Sequence, residues 1–324
     1  MTAEAASTFP PASGRRTQWA ELPASVRAAI EDRFGARVVA AESQSGGFSP
    51  GLAARLRLTD GTRAFVKAVR SSPNVDSPPM YRREARVAAA LPPDVPAPAL
   101  RWSCDDGEWV VLAFDDVDGC SPALPWRAHE LERVLAAIDE LAARLNPSPL
   151  ALEPAQETMA PLFGRWQTIV DEGLESRLPA AVRARLDELL ASEAGWPEAV
   201  LGESLVHLDL RADNILLTAD RVFFVDWPAA AVGAAWVDLA LMLPSIAMQG
   251  GPQPEEVWQT HRLSRGVDEA SVDALVVAVA GYFAHSQMLP PPPGLPTLRA
   301  FQAAQGVQTA AWLGRRRGWS DFRA

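Results

Sequence analysis

The sequence predicts an α+β protein of two unequal lobes: a small N-terminal lobe with an antiparallel sheet and one helix, and a larger, mostly helical C-terminal lobe. Three observations predict it. Up to about residue 116 the chain is dominated by short apolar runs separated by glycine-bearing turns. From about Cys120 the apolar residues recur at helical spacing instead. Within that second part lies the stretch Leu205 to Leu217, apolar at both ends and crowded with His, Asp, Arg and Asn in the middle. A buried strand would not tolerate so many polar groups without partners for them. The chain has 324 residues, enough to bury two cores with a cleft between them.

In chain order, residues 1–18 are rich in Ala, Ser and Pro and read as a disordered tail. Residues 19–116 form the small lobe. Glu21 to Phe34 carries Leu22, Val26, Ile30 and Phe34 at helical spacing, with Gly35 as the stop. Arg37 to Glu42 is a short strand, and Ser43 to Gly51 a glycine-rich turn. Leu52 to Leu58 and Arg63 to Val69 are strands joined by an Asp60-Gly61 hairpin turn. Pro79 to Leu91 is a helix containing Glu84, which is either a surface acid among Arg82, Arg83 and Arg86 or a partner for a buried cation. Leu100 to Cys104 and Trp109 to Phe114 form a second hairpin that runs into the acidic stretch Asp115 to Gly119, whose carboxylates by default face water.

Residues 117–324 form the large lobe. Helices are expected over Ala128 to Leu145, Ala160 to Gly173, Ala180 to Ala191, Trp236 to Met248, Glu255 to Leu263, Glu269 to Met288 and Thr297 to Trp312. The Leu205 to Leu217 run and Arg221 to Val225, joined by Thr218-Ala219-Asp220, read as a hairpin whose ends carry Asp209, Asn214 and Asp226. Arg315-Arg316-Arg317 reads as a solvated helix end.

Composition narrows the function. The chain is 48% hydrophobic and 22% charged, the balance of a well-packed soluble protein. Its net charge of −10 makes nucleic acid a poor partner, and the field could draw in a cationic substrate, with Asp171, Glu172 and Asp238 as acids suited to it. No apolar run reaches transmembrane length, so no membrane partner is expected. No signal peptide begins the sequence, and the two cysteines, Cys104 and Cys120, show neither metal spacing nor a disulfide framework; a cytoplasmic setting is the simplest. Among many arginines stands a single lysine, Lys67. A compact ammonium and a wide planar guanidinium are not interchangeable in a tight phosphate site, so the lone lysine marks a position where Arg would not fit.

His207, Asp209 and Asn214 follow the pattern H-x-D-x-x-x-x-N, with Asp226 beyond them. In phosphoryl transfer such an Asp accepts the proton of the attacking hydroxyl, while the Asn and the later Asp hold magnesium on the nucleotide phosphates. Hard divalent ions take oxygen ligands, which Asn and Asp supply.

With these residues the chain resembles the aminoglycoside phosphotransferase and choline kinase group, which shares the protein-kinase-like bilobal fold. The quick passage from Asp226-Trp227-Pro228 to Ala235-Trp236-Val237-Asp238 is part of the likeness, which covers most of the chain. The resemblance implies an ATP- and Mg²⁺-dependent kinase that phosphorylates a small-molecule hydroxyl. ATP would lie under the loop holding Gly46, Gly47 and Ser49, with adenine against Phe114 and the backbone near Asp115 and Val117. Lys67, oriented by Glu84, would hold phosphates; Asn214 and Asp226 would bind the metal; Asp209 would be the base, ionised because of neighbouring cations. His207 would brace the loop. Arg211 would either stabilise transition-state charge or pair with Asp213. Asp238 would brace the loop, shape the substrate mouth or only cap its helix. The acceptor could be an aminoglycoside or a metabolic alcohol of choline, homoserine or sugar type. A protein kinase would need a longer activation loop, and a non-catalytic nucleotide-binding protein would need to have lost one of these residues.

Overall fold

The computed structural model describes residues 9–10, 16–44, 46, 51–72 and 77–322. The small lobe contains α1 (Ala24–Phe34), β1 (Val38–Ser43), β2 (Leu52–Leu58), β3 (Arg63–Arg70), α2 (Ser77–Ala90), β4 (Leu100–Asp105) and β5 (Trp109–Asp115). Its five strands make one antiparallel sheet in the order β1-β2-β3-β5-β4. The expected tail falls largely on residues 1–8 and 11–15, which lie outside the described residues.

Strand alternation sorts this lobe into two faces. Leu56, Val66, Ala68, Val111 and Ala113 pack with Val26 and Ile30 of α1, which falls within the helix expected over Glu21 to Phe34, so the lobe has two helices and not one. On the opposite face Val69, Val110, Leu112 and Phe114 pack with Tyr81 of α2. Lys67 is two residues from Val69 and shares that second face. Tyr81, Glu84 and Val87 are buried at spacings of three along α2, so Glu84 is turned toward the sheet. Gly51 opens β2 where a Cβ would stand 2.4 Å from the Ala68 carbonyl oxygen, so no side chain fits there.

The large lobe contains α3 (Ala128–Arg144), α4 (Ala155–Met159), α5 (Arg165–Asp171), α6 (Ala180–Arg183), α7 (Leu186–Glu193), α8 (Trp196–Ala199), β6 (Ser204–Val206), β7 (Ile215–Leu217), β8 (Val222–Phe224), β9 (Ala231–Gly233), α9 (Val237–Met248), α10 (Pro254–Thr260), α11 (Glu269–Ser286) and α12 (Leu298–Arg317). All but one of the residues of α9 are buried, which makes it the lobe's central helix. No helix among the described residues is long and apolar enough to cross a membrane.

Several expectations are corrected. Of the helix expected over Ala160 to Gly173 only α5 forms; α4 ends before it at Met159, and α5 starts after Gly164, whose φ of +74° is left-handed. The buried Glu193 carboxylate accepts the Gly164 and Arg165 amides at 3.0 and 3.2 Å and so caps α5. The Ala180 to Ala191 helix likewise divides into α6 and α7. Leu205 and Val206 do not belong to the following hairpin: they pair as β6 with β9, a strand the sequence reading missed, and only β7 and β8 make the hairpin. The triple arginine is no solvated end. Arg316 has 4% of its side chain exposed and pairs with Asp273 at 2.6 Å and Glu269 at 2.5 Å, tying α12 to α11. In the acidic run, Asp118 is exposed, but Asp116 is 2% exposed and paired with Arg55 and Arg63 at 3.2 and 2.7 Å.

Candidate active site

The cleft between the lobes gathers side chains from distant parts of the chain. From β3, Lys67 Nζ reaches Glu84 Oε1 of α2 at 2.6 Å and Asp226 Oδ1 beyond β8 at 2.9 Å. The Phe114 and Tyr81 rings flank the ammonium at 5.9 and 6.0 Å. Burial works against the Lys67 charge, but Asp226 and Glu84 outweigh it and hold the lysine above its ordinary range. Burial opposes the Asp226 carboxylate too, yet Lys67 keeps it below the usual range. Glu84, deeper and sharing one ammonium with Asp226, is pushed up by burial. Glu84 is therefore the lysine's partner and not a surface acid.

The polar segment after β6 is held from three sides. His207 is fully buried; its Nε2–H donates to the Val225 carbonyl at 3.0 Å, its Nδ1 accepts the Asp209 amide at 3.3 Å, and its ring packs on Trp227. Burial drives the imidazole down to about 4, so it is neutral, as the bracing role requires. Asp238, in the first turn of α9, accepts the His207 amide at 2.8 Å and the Leu208 amide at 2.7 Å. Of the readings left open for Asp238, bracing the loop is the one its contacts support. Leu208 and Asp226 both adopt left-handed φ, +63° and +70°.

Asp209 is gripped by its neighbours. Asn214 Nδ2 donates to Asp209 O at 2.8 Å and to Asp209 Oδ2 at 3.1 Å, while Arg211 Nη1 pairs with Asp209 Oδ1. Arg211 also holds Asp213 with two parallel bonds of 3.0 Å. The expectation that cations lower Asp209 is overturned in direction. Partial burial, with 39% of the side chain still exposed, pushes its carboxyl up to about 7, against the pull of Arg211 and with Asp213 and Asp226 adding to the rise.

Two cavities meet at this segment. The first lies between the lobes and is lined by Gly46, Lys67, Glu84, Phe114, Asp115, Val117, Asn214 and Asp226. The sequence-named residues that are described there thus converge; Gly47 and Ser49 lie outside the described residues. At the hinge the Asp115 amide is taken by Ala99 O at 2.9 Å, and Val117 O accepts from Gly119 and Arg55. Arg16, assigned to the tail by composition, brings a guanidinium into this cavity and donates to Gly46 O. The second cavity, about 250 Å³, opens at Asp209 and Arg211 and runs between α4, α11 and α12. Asp171 and Glu172 do not line it, and Asp238 faces the loop instead. Its Tyr282, Gln302 and Gln305 were missed, because nothing in a helical pattern distinguishes a pocket-facing residue from a core one.

The pair Asn214 and Asp226 suits a magnesium ion. Anchoring the Asn214 Nδ2 on Asp209 leaves the amide oxygen for another partner, and Lys67 occupies one oxygen of Asp226. One carboxylate and one amide oxygen is the sparse oxygen set taken by an ion that keeps most of its water. No cluster of three or more His, Cys, Asp or Glu suited to a metal occurs among the described residues.

The fold and this site define a phosphotransferase. Residues 46–275 match the APH phosphotransferase enzyme family, and the chain belongs to that family. It is a small-molecule phosphotransferase of the protein-kinase-like fold. No curated protein matches. Among solved structures, it is similar to aminoglycoside phosphotransferase APH(4)-Ia in complex with ADP and hygromycin B, at 14% identity and TM-score 0.57 over 90% of this chain and 98% of that one. A choline/ethanolamine kinase family protein from Mesorhizobium loti matches at 16% identity and TM-score 0.56, over 91% and 96%. A putative fructosamine-3-kinase from Haemophilus somnus matches at 13% and 0.52, over 90% and 96%.

Proposed function

We propose that the chain moves the γ-phosphoryl group of ATP to the hydroxyl of a small molecule, with the two substrates meeting at Asp209. The observation that carries this reading is the bridge from Lys67 to Asp226, 2.9 Å long between residues 159 apart in sequence. It joins the lobes at the point where triphosphate charge would need cations.

Lys67, fixed by Glu84, neutralises phosphate oxygens, and the Gly46 loop and Arg16 cover them. Magnesium held by Asn214 and Asp226 would supply further charge neutralisation. Adenine lies toward Phe114 and the Val117 backbone. Asp209 accepts the acceptor's proton as the hydroxyl oxygen bonds to γ-phosphorus and the bond to the ADP oxygen breaks. Arg211 orients Asp209 through their pair, with Asp213 fixing the guanidinium plane. A small acceptor fits the short passage from Asp226 to α9, which β9 takes up and which leaves no long loop for docking a peptide.

Saturating Mg²⁺-ATP should raise the melting temperature, since ligand at a hundred times Kd stabilises by roughly 3 kcal/mol. Lys67→Arg should lower kcat/KM for ATP by about tenfold or more, because a planar fork cannot reproduce an ammonium wedged between two carboxylates and two rings. Unchanged melting with nucleotide would refute the reading.

A further inference from the structure

We propose that the second cavity accepts uncharged alcohols with a hydrocarbon or aromatic face, oriented by the amide of Gln305 and the phenol of Tyr282. This deepens the phosphotransferase reading and rests on it.

The cavity walls are apolar: Met159, Phe163, Val279, Phe283 and Phe301 face one another across it. Among the described lining residues Asp209 and Arg211 are the only charged ones, and they pair with each other. An entering ammonium would find no carboxylate beyond one already compensated, and an unpaired cation in an apolar enclosure is strongly disfavoured. A hydrocarbon or ring face, by contrast, gains from leaving water.

The polar groups offered are neutral. Gln305 is 6% exposed and lines the cavity, yet its side-chain amide bonds to no atom among the described residues. Facing the cavity, that amide offers both a donor and an acceptor, which a hydroxyl or carbonyl of a bound molecule can pair with. One turn earlier on α12, Arg299 Nη1 donates to Gln302 Oε1 at 2.7 Å, which turns Gln302 Nε2 onto Tyr282 Oη of α11 at 2.7 Å. The phenol oxygen thereby accepts from Gln302, and its hydroxyl also pairs with Ser286, so the ring presents a fixed polar edge to the cavity. Tyr282 and Asp209 line the same cavity.

The test uses the full-length protein in an ADP-release assay with matched acceptors: cyclic and aryl alcohols, the same skeletons bearing an added ammonium, and polycationic amino sugars. The uncharged members should be turned over with kcat/KM about tenfold or more above their ammonium analogues. Gln305→Leu should lower kcat/KM about tenfold for acceptors carrying a second hydroxyl or a carbonyl, without changing KM for ATP. Gln305→Glu, checked for folding by its melting curve, should narrow or reverse the preference against ammonium. Wild-type preference for the ammonium members, or no turnover of any uncharged member while Mg²⁺-ATP still raises the melting temperature, overturns the assignment. Absence of both the nucleotide shift and all turnover would instead overturn the phosphotransferase reading beneath it.

Discussion

Asp238 holds Leu208 in a conformation that a leucine does not adopt by itself. The Leu208 amide donates to Asp238 Oδ1 at 2.7 Å, and Leu208 has φ +63°. The left-handed region costs a non-glycine residue about 1–3 kcal/mol, so the surrounding contacts must over-determine it. Asp238 does so from the first turn of α9, the most deeply buried helix of the lobe. It accepts the His207 amide with its other oxygen.

Asp238→Ala should therefore leave two buried amides without partners, at about 1–3 kcal/mol each, and release the loop that carries Asp209. Turnover should drop with the melting temperature, and Asp238→Asn, which keeps one accepting oxygen, should recover only part of both. A variant that melts earlier yet retains full kcat would show that Asp238 supports the fold alone.

Asp209, lifted to about 7 by burial, is a better proton acceptor than an ordinary aspartate. The active form is the ionised one, so kcat/KM for the acceptor should hold above pH 7 and fall as pH drops through it. Asp209→Asn should lose about 10²–10⁴-fold in turnover while keeping nucleotide binding. A profile flat from pH 8 to pH 5 would remove Asp209 as the group that titrates.

His207 makes a stability prediction. Its folded value, about 4, lies below the 6.5 of a free imidazole. Above pH 6.5 both states are neutral and the native packing contributes in full. As pH falls from 6.5 to 4 the unfolded chain takes up a proton that the native one refuses, and roughly 3 kcal/mol is lost. Denaturant titrations across that range should show the wild type losing more stability than His207→Gln. Parallel curves would mean that the buried ring is charged or that the unfolded chain does not titrate as supposed.

The nucleotide side of the site was legible because its chemistry is local in sequence. His207, Asp209 and Asn214 sit on one short segment, and a glycine-rich turn before a strand with the chain's single lysine needs no tertiary information to be noticed. Lys67 and Glu84 meet because strand period two and helix spacing of three turn both to one face. The helix breaks failed for the opposite reason. Gly164 lies inside a continuous helical pattern, and its left-handed turn depends on Glu193, supplied from α7. The solvated reading of Arg316 failed because its partners lie on another helix, and Asp209 moved up, not down, because burial outweighed the cations that local spacing suggested.

From the residues alone came the two-lobed architecture, the side chains that gather between the lobes and the family they resemble, since periodicity and short-range spacing are written directly along a chain. Tertiary structure decided which carboxylate Lys67 bridges to, how Asp238 and His207 clamp the loop, and the character of the second cavity. That cavity is the meeting of α4 with α11 and α12, whose lining residues lie more than a hundred positions beyond those of α4. Which side chains line a space between helices is set by how the helices pack, and amphipathic spacing records only that each has an inward face.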